Sequence, residues 1–391
     1  MEGKEMNCRI CNTTTKKFLD LGRQPIANNF LNEDQFDSEY FYRLEVFFCP
    51  ECYTIQIGDC PDKEKIFNKN YAFFTSTSNY MIQHFKKLAD DIKNNYLYEE
   101  GFIVEIGSND GTFLKNFRGY KHLGIEPSGS VNAVANKRGV RSWNRFFNEE
   151  VSENIIDKIG QADVIVTTNC FPHMVDRDSV LKGIKKLLKP KGIWINEEAA
   201  LKSIMNRVSY DQFYNEHIFF SSIASFKNVM KLYGLGLHNI EYLPVHGGSM
   251  RFFSFHKEYA YENEKLSSFL KMENLNKFER FQEFGEKVEC SRKRLLEYLF
   301  SLKEEIVGYG ATAKSTTILN YCKIGNSLIS KIYDTTPIKQ NKLSPGMHIP
   351  IVSYDTFKKD KPKNVVLFAW NHAKEIYEKE KDANTNWIMP I

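Results

Sequence analysis

No run of 18 apolar residues occurs anywhere in the 391-residue chain, so a membrane-spanning helix is not expected. The opening residues Met1 to Asn7 are charged rather than apolar, which leaves no hydrophobic region for a secretory signal; the chain is expected to work in the cytosol. Charge of one sign is scarce as well. A net charge of +4 with no block of Lys and Arg excludes a nucleic-acid footprint of the usual kind. That slight basic excess suits an anionic small substrate, but a solvated surface is the simpler reading. What remains, 42% apolar and 26% charged residues, is ordinary globular composition, and the length predicts two or three domains with real cores.

The central feature is Phe102-Ile-Val-Glu-Ile-Gly-Ser-Asn-Asp-Gly-Thr-Phe113. An apolar run reads as a buried strand, and Gly107 and Gly111 bracket a polar turn before a further apolar segment, predicting strand, glycine turn, helix. Glycine belongs where a ligand must approach bare backbone near a helix N-terminus. Leu123-Gly-Ile-Glu-Pro127 reads as a second strand ending in Glu126, about 20 residues on, where the ribose-diol acceptor of nucleotide-binding βαβ units lies. The G-x-G-x-x-G fingerprint of dinucleotide sites is missing. An acid stands where a pyrophosphate would be repelled, and Glu105 and Asp110 suit a cationic ligand. The stretch resembles the E-x-G-x-x-x-G motif of class I S-adenosylmethionine-dependent methyltransferases, which implies Glu105, Gly107, Asn109, Asp110, Gly111, Glu126 and Asn169 as the cofactor site.

Cys8-x-x-Cys11 and Cys49-x-x-Cys52 form two thiolate pairs. Such knuckles place four sulfurs tetrahedrally around zinc, and in a reducing compartment they read as metal before disulfide. Four buried free thiols are the bland alternative. All positions are cysteine, leaving no open coordination place for water, so the expected zinc is structural. The segment between the pairs carries the turn residues Gly22, Pro25 and Asn28-Asn29 and is too short to stand without a staple. Next come Asn70 to Asn79, aromatic and hydroxyl-rich, as hinge or lid, and an amphipathic helix from about Tyr80 to Asn94.

Alternating helices (Val131 to Lys137, Glu149 to Ile159, Ser179 to Lys189) and strands (Val140 to Trp143, Ala162 to Asn169, Ile193 to Glu198) predict a parallel doubly wound α/β sheet, with the third helix stopped by Pro190 and Gly192. Ligands collect at the carboxyl ends of such strands, which puts Asn169, Phe171 and His173 at the mouth. Tyr210-Asp-Gln-Phe-Tyr-Asn-Glu-His217 is the densest group of ionisable and hydroxyl side chains. A histidine whose pKa lies near working pH, beside a phenol and a carboxylate, is what proton abstraction needs, so Tyr214, Glu216, His217 and His173 are candidate catalytic residues. A surface helix turn is the bland reading. From Asn263 to Glu305 one or two long connecting helices are expected, their apolar stripe belonging to the core. Glu305-Ile-Val-Gly-Tyr-Gly-Ala-Thr-Ala-Lys-Ser315 is then a second strand and glycine turn opening a helix, which predicts a second anion-binding helix N-terminus; strands Ile329 to Asp334 and Asn364 to Trp370 complete a second Rossmann-like unit.

Taken in order, the four-cysteine module, Glu105-Ile-Gly-Ser-Asn-Asp-Gly111, Asn169-x-Phe-x-His173, Tyr214-Asn-Glu-His217, His246-Gly-Gly-Ser-Met-Arg251 and the turn at Gly308 to Lys314 resemble the nucleotide-sugar C-methyltransferase family across nearly the whole chain. The resemblance implies a zinc-binding module (1–68), a class I methyltransferase Rossmann-like domain (69–254), and a helical connection with a second Rossmann-like domain that helps to bind the nucleotide sugar (255–391). It implies S-adenosylmethionine and structural zinc as cofactors, a nucleotide-linked 4-keto-deoxyhexose methylated at C-3, and a monomer or small homo-oligomer. His217 is implied as the general base, with Tyr214, Glu216, Asn169 and His173 around it and Tyr71 as the tyrosine near the zinc module; His246, Arg251, Tyr309 and Lys314 are implied in substrate binding. A sugar O-methyltransferase on the same scaffold and a noncatalytic binding subunit are the alternatives.

Overall fold

Three sheets organise the computed structural model, which describes residues 6–62, 74–262, 264–381 and 384–391. Tyr71 therefore lies outside the described residues. The first sheet holds β1 (Lys16–Pro25), β2 (Phe41–Phe48) and β3 (Ile55–Ile57), all antiparallel. Its fourth strand comes from the middle of the chain, as described below.

The central sheet is built from β4 (Phe102–Ile106), β5 (Lys121–Ile125), β6 (Ser142–Trp143), β7 (Ala162–Thr168) and β8 (Leu188–Ala199). Phe219–Phe220 forms β9, which leaves this sheet and pairs with β3. After β10 (Leu235–Leu243) and β11 (Ser249–His256) the order is β10-β11-β8-β7-β4-β5-β6, with β11 antiparallel to both neighbours and the rest parallel. This is the class I methyltransferase arrangement, with β4 at the switch point where ligands collect. Its two faces are covered separately. Helix Asn79–Asn95 starts at Ser78, whose side chain accepts the Met81 N–H, and presents Met81, Phe85, Leu88, Ala89 and Ile92 as one helical stripe. That stripe packs on Ile103, Val164, Val166, Ile193 and Ile195. Helices Glu149–Lys158, Arg177–Leu187 and Ile223–Leu232 cover the other face, over Val104, Ile165, Trp194 and Phe252.

The long helix Phe278–Ser301 leads to an all-parallel sheet of β12 (Ile306–Tyr309), β13 (Ile332–Asp334), β14 (Ile351–Ser353), β15 (Asn364–Leu367) and β16 (Asn386–Ile388), in the order β14-β13-β12-β15-β16. Besides the two cores of the central sheet, the modules read from the sequence share a further interior. One core joins Leu21, Leu44 and Val46 of the first sheet, Tyr210, Phe213 and Phe219 of the middle of the chain, Phe281 and Phe284 of the long helix, Ile306 and Val366 of the last sheet, and Ile318 of the helix Ala313–Cys322 beside it. No described helix is long and apolar enough to cross a membrane.

Two local expectations change. Pro190 and Gly192 do not end a helix by a loop; Leu188 already pairs with Ala162, and the register shifts before Ile193 pairs with Val164. Proline is tolerated at such a bulge because no ladder N–H is needed there. Gly111 is followed only by the 3-10 turn Leu114–Phe117, since too few residues separate it from Gly119 for a full helix. The ligand turn is thus built of loop backbone.

Candidate active site

At the carboxyl end of β4 the chain turns through Gly107 (φ +75) and Asn109 (φ 47), a left-handed path that glycine takes without strain and asparagine tolerates. Glu126, ending β5, accepts the Asn109 N–H at 2.9 Å and the Ser128 N–H at 2.8 Å. Two N–H bonds leave a carboxylate with further lone pairs, so Glu126 stays able to take a diol. Asp110 is different. Its carboxylate is fully buried and already holds Arg138 (2.9 Å), the Ser76 N–H (3.1 Å) and the Thr112 hydroxyl (2.6 Å). Burial pushes its pKa up, but the Ser76 and Thr112 hydrogen bonds and the Arg138 guanidinium win and keep it below the ordinary value. Its part is to clamp the Thr75–Thr77 turn onto the glycine loop, together with Asn109, whose Oδ1 accepts the Thr75 N–H at 2.9 Å. Of the two acids expected to face a cationic ligand, Glu105 is the one with an oxygen left unpartnered. That carboxyl is buried, one oxygen lacks a partner, and burial followed by the charges of Glu126 and Asp110 raises its pKa well above the usual range. An orphaned carboxyl beside a bare glycine turn fits a ligand bearing an ammonium and a ribose, as S-adenosylmethionine does.

Gly107 allows a direct test. A Cβ there would lie 2.6 Å from Cys170 Cβ and 2.8 Å from its sulfur, whereas at Gly139, also left-handed (φ +79), nothing lies within 4 Å. Both alanine variants carry the left-handed strain, about 1–2 kcal/mol; only Gly107→Ala also drives into the loop leading to His173. Isothermal titration with S-adenosylmethionine should show roughly tenfold weaker binding for Gly107→Ala, from the overpacking against Cys170 that displaces the turn, and unchanged affinity for Gly139→Ala, which carries the strain alone.

Tyr210 to His217 is largely buried rather than a surface helix turn, with Tyr210 and Phe213 in the core that the first sheet shares with the long helix and the last sheet, and Tyr214 and His217 half-buried. The His217 ring makes two polar contacts: Nδ1 to the Gln212 carbonyl at 3.1 Å and Nε2 to the Tyr214 hydroxyl at 2.9 Å. A carbonyl can only accept, so Nδ1 carries the hydrogen, and Nε2 of the neutral ring is the lone pair that receives the Tyr214 O–H. The His217 ring is thus oriented by backbone, not by Glu216. Burial, followed by the His173 ring and opposed by the Gln212 carbonyl, holds the His217 pKa well below its usual value, with Lys314 and His246 pushing the same way. His173 stands 5.1 Å away, ring to ring, because the Ile218 N–H binds the Pro172 carbonyl at 3.0 Å and ties its turn to the tetrad. Burial brings His173 down to about 4. Asn169 lies at the start of the same loop in a left-handed conformation (φ 53), its N–H on the Glu197 carbonyl at 2.7 Å.

From the C-terminal lobe come Lys314 and Trp370, the ammonium 4.8 Å from the indole centroid. The indole N–H donates to buried Asp211 at 2.6 Å; burial, offset by Lys314, raises Asp211 to about 6. His246 joins them through the turn Val245–Gly247, which comes so close that a Cβ on Gly247 would lie 2.6 Å from Trp370. Burial, then the Lys314 charge, brings His246 to about 4. His246 and Lys314 are therefore gathered around His217.

Two other expected substrate residues are not. Arg251 is spent on carboxylates: Nη2 and Nε meet Glu197 at 2.8 and 3.1 Å and Nη1 meets Glu241 at 2.6 Å. Strand alternation turns Tyr309 to the outer face of the last sheet, where it packs with Phe357 and Trp387 and donates to Glu380. The second glycine turn is also occupied internally. Asp334 accepts the Ala311 N–H at 2.7 Å, and Thr312 and Ser315 cap helix Ala313–Cys322 reciprocally. Residues the sequence reading passed over include Gln212, Asp211 and the pair His84–Glu197 (2.7 Å). Trp370, just past β15, could have been found from the rule that sites gather at strand ends.

The four cysteine sulfurs all lie within 4.8 Å of one another, three of the pairs at 3.4–3.6 Å. Tetrahedral zinc with bonds of about 2.3 Å sets sulfurs about 3.8 Å apart, so the set fits. The two knuckles match: Asn12 and Tyr53, each next after the second cysteine of its pair, are left-handed (φ 63 in both) and bond back to the Cys8 and Cys49 carbonyls.

Comparison with known proteins agrees along the chain. Residues 8–67 match a family model described as "Putative zinc binding domain", 78–240 one described as "Methyltransferase domain", and 244–391 one described as "C-methyltransferase C-terminal domain". The C-methyltransferase NovU of Streptomyces niveus is 30% identical over 399 residues, spanning 98% of this chain and 95% of that protein. Among solved structures, an S-adenosylmethionine-dependent methyltransferase from Clostridium acetobutylicum is 13% identical over 46% of this chain and 93% of its own, with a TM-score of 0.36. The CcbJ methyltransferase from Streptomyces caelestis is 9% identical over 44% and 89%, with a TM-score of 0.34. With its cysteine cluster, its switch-point glycine turn and a near full-length relative of that activity, the chain belongs to the S-adenosylmethionine-dependent C-methyltransferases.

Proposed function

We propose that the acceptor is a nucleotide-linked 4-keto-deoxyhexose, methylated at C-3, with His217 as the general base. The observation that carries this reading is the fixed tautomer of His217, which presents an unprotonated Nε2 where the central and C-terminal lobes meet. Methylating carbon requires a carbanion equivalent, and a 4-keto group acidifies the C-3 hydrogen enough for an imidazole to remove it. Nε2 takes that proton. The Tyr214 hydroxyl, already donating to Nε2, is released to donate to the enolate oxygen as the proton arrives, with the Lys314 ammonium as a second source of positive potential. His173 and Asn169 line the approach from the cofactor edge. S-adenosylmethionine, when bound, supplies the electrophilic methyl group that C-3 takes, and departs as S-adenosylhomocysteine. Trp370 and the His246 turn form the wall against which the sugar and its nucleotide are held. The tetrathiolate zinc site has no open position and only holds the module together.

The test is NMR of products formed from S-adenosylmethionine and a panel of nucleotide-linked 4-keto sugars. A new quaternary C-methyl carbon is expected; an O-methyl resonance, or no product from any of them, would sink the reading. The pH dependence follows from the depressed pKa of the base. His217 is active when neutral, so kcat stays level as pH falls through 6.5 and drops only below it. Lys314→Met removes a positive neighbour and should move that acid limb to higher pH, read from a kcat–pH profile.

A further inference from the structure

We infer that Asn28, on the zinc-bearing module, is a positioning residue of the methyl-transfer site, acting by holding the Glu216 carboxylate and with it the turn that carries Tyr214 and His217. This deepens the function proposed above and rests on it.

The loop after β1 is bonded on every side. The Ala27 N–H donates to Asn215 Oδ1 at 2.8 Å, and the Asn28 amide donates to Glu216 Oε1 at 2.6 Å. The Ala27 carbonyl accepts the Thr316 hydroxyl at 2.8 Å, two residues beyond Lys314. Two adjacent residues of the module thus grip both middle residues of the tetrad and the helix that brings Lys314. Asn215 is fully buried and Glu216 is 5% exposed, so neither has free water to replace a lost donor. Between Tyr214 and His217 runs one short turn, closed by the His217 N–H on the Tyr214 carbonyl at 3.0 Å. Fixing side chains 215 and 216 therefore fixes where the phenol and imidazole on either side point. Glu216 does not touch the His217 ring, and burial lifts its pKa to about 6, opposed by the Asn28 amide. The titratable group packed against it from β2 is Tyr42, also deeply buried. The module accordingly supplies one wall of the site as well as a zinc staple.

The experiment is a double-mutant cycle on the full-length, zinc-loaded enzyme with Asn28→Ala, Glu216→Gln and the pair. Removing a hydrogen bond to a charged group should lower kcat roughly tenfold or more in Asn28→Ala, with unchanged dissociation of S-adenosylmethionine, and cost nothing further in the Glu216→Gln background. An equal loss in both backgrounds would show a merely structural role and overturn the inference. Asn28→Asp keeps shape and fold but sets a second carboxylate beside Glu216, so the acid limb of kcat should move to higher pH; an unmoved profile also overturns it. Should the wild type methylate no keto sugar, the proposed function fails on its own account. Asn28 is then judged by the Glu216 carboxyl band, isolated as the infrared difference between wild type and Glu216→Gln: it should titrate at higher pH in Asn28→Ala, and an unshifted band counts against the inference.

Discussion

His217→Asn should lower methyl transfer by about 10²–10⁴-fold, the usual contribution of a positioned general base, while S-adenosylmethionine binds as tightly as before. Asparagine keeps a polar group of similar reach toward the Gln212 carbonyl but cannot receive a proton at the place of Nε2. Glu105, Gly107 and Glu126, the groups expected to hold the cofactor, stand at the ends of β4 and β5 and not in the turn that carries residue 217, so binding and chemistry should separate cleanly. A second readout isolates the proton step: solvent deuterium should enter C-3 of the keto sugar with the wild type, without methyl transfer being needed, and should fail to enter with His217→Asn. Tyr214→Phe is the informative companion. It leaves the base in place and removes the donor, so exchange should slow without vanishing. Exchange in His217→Asn at the wild-type rate would remove this histidine from the proposed role.

Loss of the metal should be the most damaging change to the fold. A structural zinc contributes about 10–16 kcal/mol to a small module, as much as the whole stability of many domains, about 5–15 kcal/mol. Cys49 and Cys8 are buried at the base of the first sheet, and the sheet's apolar face is continuous with the long helix and the last sheet through Phe48, Phe281 and Phe284. Chelation, or Cys49→Ser, should therefore unfold more than the module. Calorimetry should show the single transition of the zinc-loaded protein split, with the shared core melting early. The central sheet, which has its own two cores, should survive longest. Methyl transfer should disappear with the early transition while titratable S-adenosylmethionine binding persists. An unchanged melting profile after complete zinc removal would contradict this account.

The parts of the site that were legible in the sequence are those written locally. The glycine turn at 107–111, the cysteine knuckles and the tetrad at 214–217 each bring their groups together within a few residues, where backbone geometry alone does the placing. The direction of side chains was less legible. Asp110 was read as facing the ligand, yet it is turned onto Arg138 and Ser76. Tyr309 was placed at the substrate, yet the two-residue alternation of β12 sends it to the outer face. Arg251 was expected at the substrate, but the pairing of β11 with β8 and β10 sets it between Glu197 and Glu241.

By itself the sequence determined the chemistry available to this protein: four thiolates for one metal, a bare turn with acids for a cationic adenosine ligand, and an imidazole beside a phenol. Tertiary structure alone decided how those groups are used. Asn28 meets Glu216 across 188 positions and Trp370 meets Asp211 across 159, contacts that no periodicity encodes. They exist because the first sheet, the segment around Tyr210 and Phe213, the long helix and the last sheet bury their apolar faces in one core, and that shared burial presses a zinc-module loop and a C-terminal indole onto the segment that carries His217.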